Sequence, residues 1–176
     1  MPTGNMASSF FNGESTWLGV LGGILESIDA GTTTIVDHSH NALTPEIVFA
    51  GAEAWEQSGV RGTYCIGPAT TAVRAFSPKL ELSPEPIPSW WQDTYAELGK
   101  QMESGSGRVR LGLGYDGFFA GEELAKSTIE HARKTGSKLI TSHSVHGKSP
   151  NYTKTSKTLN QEQRLLLSTT CMTGVS

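Results

Sequence analysis

Cysteine is almost absent from this chain of 176 residues. Cys65 and Cys171 are its only two, far apart and with no C-x-x-C spacing. That excludes a disulfide scaffold and a cysteine-based zinc site. Basic runs are missing too: 14 Lys and Arg stand against 17 Asp and Glu, a net charge of -3, with no basic stripe. Nucleic acid and anionic membrane surfaces are therefore not the expected partners. There is no apolar stretch long enough to span a bilayer, and the opening Met1-Pro2-Thr3-Gly4-Asn5 lacks the basic start and apolar core of a signal peptide. The expectation is a cytoplasmic protein acting on a small molecule. Nucleophilic catalysis has no foothold, since no G-x-S-x-G elbow occurs and neither cysteine has an activating neighbourhood in the sequence.

What the chain does contain is a regular alternation. "STWLGVLGGILESIDAG" spaces Trp17, Leu18, Leu21, Leu25 and Ile28 as a helix would, with Ser15 as the expected N-cap and Gly31 as the stop. "TTTIVDHSH" is β-branched and reads as a buried strand. "TPEIVFAGAEAWEQSG" opens with Thr44 and Pro45 and closes on Gly59, a helix between two stop signals. Strand "VRGTYCIGPA" follows, then a Pro-rich link, "FSPKLELSPEPIP". Helix "SWWQDTYAELGKQMES" has Trp90, Tyr95 and Leu98 as inner candidates. Strand "RVRLGLGYDG", helix "GEELAKSTIEHARKTG" and strand "SKLITSHSVHG" complete the pattern. Helices alternating with apolar strands imply an α/β fold of about four βα units with parallel strands. Right-handed crossovers then bring all strand C-termini to one rim. Residues 1–147 carry this pattern. Residues 148–176 read as a divergent, loosely ordered tail, where only "EQRLLLS" has anything to bury and offers one short helix.

The rim gathers the candidate chemistry. His38 and His40, at i and i+2 of an extended segment, point to one side, as two imidazole ligands of a metal would. Asp37 is a carboxylate able to line a pocket or orient a histidine. Tyr115 and Asp116 follow the third strand, and His143 and His146 close the fourth. Asp37, His38, His40, Tyr115, Asp116 and His146 are thus candidates for substrate contact or for supporting a metal's ligands. His131, on a helix beside Glu130, reads as a hydrogen-bonded neighbour. Gly112 to Gly117 spells G-x-G-x-x-G, the dinucleotide fingerprint. However, "FFAG" intervenes before the helix, and the ribose-binding acid expected about 20 residues on is missing. A non-enzymatic or nucleotide-binding α/β module using this loop stays as the alternative function. An alternative metal shell of His38, His40, His143 and His146 also stays open.

Taken in order, "LGGILESIDAGTTTIVDHSHN", "TPEIVFAGAEAWEQSGVRGTYCIG", "RVRLGLGYDG" and "KLITSHSVHG" resemble the amidohydrolase superfamily, from about Gly4 to Gly147. The nearest branch is the cytosine-deaminase-like and chlorohydrolase-like group with its fungal members. The resemblance implies a partial (β/α)8 TIM-type barrel, since a whole barrel takes roughly 250 residues. It also implies a divalent metal, zinc or iron, used to activate water against non-peptide carbon–nitrogen bonds, and His143 as the strand-five metal ligand. His38-Ser39-His40 imitates the family's H-x-H pair, but "AGTTTIVD" belongs to strand two, so that ligand role does not carry over. The strand-one H-x-H, the strand-six histidine and the strand-eight Asp have no counterpart here. The resemblance therefore implies a partial chain, weakly active or inactive alone and open to self-association.

Overall fold

A computed structural model describes residues 10–68, 72–74, 81–82, 85–143 and 166–168, with the backbone alone at Phe119, at His143 and in the three short segments. The first helix, α1 (Gly13–Asp29), starts earlier than the Ser15 cap predicts. Asn12 is extended and accepts from the Ser15 amide, while Ser15 Oγ accepts from the Asn12 amide, both at 2.9 Å. This reciprocal capping box satisfies two otherwise orphan donors, which places the cap at Asn12. The apolar stripe has the expected period but not the expected direction. Leu18, Leu25 and Ile28 are exposed, and Gly13, Thr16 and Ile24 are buried instead. Polar anchors explain the turn: the Gly13 amide donates to Glu46 at 3.0 Å, and Asn41 Nδ2 donates to Thr16 at 2.9 Å.

Strand β1 (Thr34–Ser39) leads to helix α2 (Pro45–Ser58), capped by Thr44 and stopped by Gly59 at φ 71°. Strand β2 (Arg61–Ile66) follows. Just before the Pro-rich link, β3 (Ala72–Arg74) pairs with β4 (Glu81–Leu82), inside the link, as a separate antiparallel ribbon that the proline content does not announce. Helix α3 (Trp91–Glu103) buries Trp91, Tyr95, Leu98 and Met102, a clean i, i+4, i+7, i+11 stripe, so Trp91 rather than Trp90 is the inner tryptophan. Strand β5 (Val109–Gly114) and helix α4 (Glu122–Lys134) come next. His131 lies against Trp91 and Tyr95 with Nε2 3.0 Å from the Gln92 carbonyl. Strand β6 (Ile140–His143) is followed, across the tail, by β7 (Leu166–Ser168). The expected short helix around "EQRLLLS" is thus replaced at Leu166–Ser168 by a strand.

The five long-sheet strands run in the order β1-β2-β5-β6-β7, every adjacent pair parallel. The helices cover one face, where Tyr64, Ile66, Val109, Leu113 and Ile140 are buried. The other face carries Val36, His38, Thr63, Cys65, Gly112, Gly114 and Thr141, as the pairings His38 with Cys65, Cys65 with Gly112 and Gly114 with Thr141 require. Flat strands three places apart would stand about 14 Å from each other. Yet the His38 ring, on β1, hydrogen-bonds Thr141, on β6, at 2.9 Å. The sheet is therefore curled into a half-barrel with this second face concave. Among the described residues, no helix is long and apolar enough to cross a membrane.

Candidate metal centre

The curl gives the histidines at the end of β1 a carboxylate partner that chain order hides. His38 and His40 stand on one side of the strand, their ring centroids 4.9 Å apart. Asp116 arrives from beyond β5, and one ligand atom from each of the three lies within 4.8 Å of the others. His38 is held from both ends. Its Nδ1 bonds the Thr141 hydroxyl at 2.9 Å, and its Nε2 faces Asp116 Oδ2 at 3.4 Å. Asp116 is held likewise, with Oδ1 accepting from the fully buried Ser142 hydroxyl at 3.1 Å.

These distances can be tested against a metal. A charge-assisted N–H···O bond is typically about 2.7–2.9 Å. Nitrogen and oxygen ligands at about 2.0–2.1 Å around tetrahedral zinc stand roughly 3.3 Å apart. The observed 3.4 Å is nearer the second value. His38 Nε2 and Asp116 Oδ2 face each other, while the other atom of each side chain is fixed by a hydroxyl, the supporting arrangement metal ligands usually have. His40, the exposed member, completes the set with a ligand atom within 4.8 Å of the other two. The residues fit a divalent ion.

Glycine makes the arrangement possible. A Cβ on Gly114 would sit 3.2 Å from both Cδ2 and Nε2 of His38, so the ring lies over a strand position that has no side chain. Gly112, one pleat earlier, has no room for a Cβ against Cys65 Sγ. Both glycines therefore lie inside β5, clearing the concave floor, rather than in a loop before a helix. Gly117 opens a single 3₁₀ turn, Gly117–Ala120, ahead of α4.

The remaining candidates separate. Asp37 points to the helix-covered side, towards Trp55 and Tyr64. Burial raises its carboxyl to about 6, opposed by the neighbouring His38 and by the Trp55 N–H. The Trp55 nitrogen nevertheless closes no hydrogen bond of ordinary geometry. Tyr64 is pushed above the ordinary phenol range by burial and by Asp37. Tyr115 is not on the rim: it is in the core, edge-on to Phe118, with its hydroxyl donating to the Gly117 carbonyl at 3.2 Å. His143 ends β6, pairing with Ser168 of β7, and nothing is described of its side chain. His146 lies outside the described residues.

Cys65, on the concave face below His38, is pushed up to about 12, chiefly by burial, so it stays a thiol at neutral pH. Thr141 and Ser142 were not foreseen as site residues. Their signal was modest: two hydroxyls immediately before a rim histidine in "ITSH". No protein-family model and no curated protein matches this chain, so the site stands on its own geometry.

Proposed function

We propose that the chain is a metal-dependent hydrolase of small molecules, acting on non-peptide carbon–nitrogen bonds in the manner of a deaminase or amidohydrolase. Zinc or iron would be held by His38, His40 and Asp116, with His143, at the end of the strand that carries Thr141 and Ser142, as the further ligand that the amidohydrolase resemblance implies. The observation that carries this reading is the His38–Asp116 approach, with each partner fixed from behind by a hydroxyl. A bound divalent ion at such a centre supplies Lewis acidity and a water of lowered pKa. The protein's part is to orient His38 through Thr141, to orient Asp116 through Ser142, and to keep the floor clear with Gly112 and Gly114.

Expected turnover is low. Hydrolysis of this class also needs a general acid or base beside the ligands. The other described side chains near the cluster on this face, Thr63, Cys65 and Thr141, offer none. Metal analysis of purified protein tests the centre: about one zinc or iron per chain is the expected content for a single site. His38→Ala with His40→Ala should abolish it, and Thr141→Val should weaken affinity by about 10- to 100-fold, as loss of a supporting hydrogen bond does. Metal content unchanged in the double variant would end this reading. Ammonia release from amide, amidine and aminoaryl substrates tests the reaction. Slow metal-dependent release, lost in Asp116→Ala, is the supporting result; release that survives both variants would move the chemistry elsewhere.

A further inference from the structure

A second cavity lies on the other side of β1. It occupies about 590 Å³ between α1 and the free edge of that strand, within the range of small-molecule sites. It is open because the helix side that borders it is thin. Thr16, Gly19, Val20, Gly23 and Ser27 form that side, and a Cβ on Gly19 or Gly23 would meet nothing within 4 Å. Its apolar walls come from Phe11, Ile24, Ile35 and Trp55.

The polar groups set into those walls are incompletely matched. Asn41 donates to Thr16 through Nδ2, but its Oδ1 is buried with no partner. Trp55 is 1% exposed, and its Nε1 is likewise unpartnered. Asp37 also lines the cavity, and the lining includes no lysine or arginine. The Asn41 carbonyl oxygen has no donor, and the Asp37 carboxylate has beside it only the poorly aligned Trp55 N–H, so in this largely apolar recess each carries a desolvation cost until it is better paired. One occupant answers both: an ammonium group. The aromatic walls at Phe11 and Trp55 would take its apolar body and also favour a cation near their faces.

We infer that this groove binds an organic ammonium ion with an aromatic or otherwise apolar body, the nitrogen placed between Asp37 and Asn41. Asp37 and His38 project to opposite faces of β1, so the carboxylate that would hold the ammonium is not a ligand of the metal centre, although His40 borders both sites. Metal-free protein keeps Asp37 and Asn41 in place for the test.

Titration calorimetry on EDTA-treated full-length chain can decide this. 4-Phenylbutylamine is the probe, with 4-phenylbutanol as the neutral control and 4-phenylbutyrate as the anionic one. The expected result is saturable binding of the amine at least tenfold tighter than the alcohol, with no binding of the acid. Asp37→Asn should erase the preference for amine over alcohol. Gly19→Leu with Gly23→Leu should abolish binding of both, and should keep the fold because the new side chains enter open space. Gly19→Ala with Gly23→Ala, a smaller change at the same positions, should weaken binding by a lesser factor. Equal affinity for amine and alcohol in the unmodified protein, no binding at all, or amine binding untouched by the double leucine variant would each overturn the inference.

Discussion

Replacing Asp37 by asparagine is expected to stabilise the chain at about pH 8 and to leave its stability nearly unchanged at about pH 4. The reason is the cost of holding that carboxylate on the helix side of β1, where burial raises its pKa from 3.8 to about 6. An acid whose pKa is higher folded than unfolded binds its proton more tightly in the native state. Stability from this group is therefore fully present below the unfolded value and falls as pH rises from about 4 to about 6, then levels off. A shift of this size corresponds to about 3 kcal/mol, and the side chain is only half-buried, so about 1–3 kcal/mol is the expected gain from asparagine above the transition. Asparagine keeps the shape and an oxygen for the Trp55 N–H, and it cannot ionise. Denaturant melts of both proteins at the two pH values give the difference directly, and the titration of every other group cancels in it. If the asparagine variant is the less stable one at the higher pH, the carboxylate has a native partner, and its burial is not a net cost.

How much of this was legible beforehand depends on the range of the interactions concerned. Local signals worked where they were local. Thr44, Pro45 and Gly59 bracket α2 as read, and the basic end of α4 and Gly136 at φ 95° stop that helix as read. The βα rhythm gave the parallel strands and the shared rim. The direction of α1 was not legible, because polar anchors at Gly13 and Thr16 turn its apolar stripe outward, and nothing in the stripe's own period encodes those anchors. Asp116 was found as a rim residue, but its meeting with His38 depends on sheet curvature, which the strands' apolar pattern does not specify. The same curvature reassigns the glycine motif. Spacing alone matched Gly112 and Gly114 to a phosphate loop, whereas their place in β5 makes them the gap over which an imidazole lies. Tyr115 was misplaced by one step of alternation at the end of that strand, where a single residue decides between core and rim.

The chain is expected to self-associate, and the side of α1 turned away from the fold is where this should begin. Leu18, Leu25 and Ile28 lie along one side of that helix at 55%, 49% and 39% exposure, with Phe10 at 66% just before its start. Beside them, β1 is the terminal strand of its sheet among the described residues, and Val36 on the concave face is 55% exposed. A parallel strand normally has both faces covered and both edges paired. A free edge flanked by apolar side chains is a template for another chain, and no lysine or proline interrupts Thr34–Ser39 to blunt it. Grouped leucines on one helix face add a second adhesive surface of the kind soluble monomers rarely leave open. Size-exclusion chromatography with light scattering should show species larger than one chain, and a hydrophobic dye should bind with enhanced fluorescence. Leu18→Glu with Leu25→Glu places two charges on the helix side without touching the groove side of Thr16, Gly19 and Gly23. Val36→Lys places a charge on the exposed concave face of that terminal strand. Either change should shift the distribution towards monomer, and the two together should do so most completely, because they remove different surfaces. A monomer in the unmodified protein that melts sharply and binds no dye would mean that these apolar residues are covered within one chain, and the free edge of β1 would then have to be covered by the same chain.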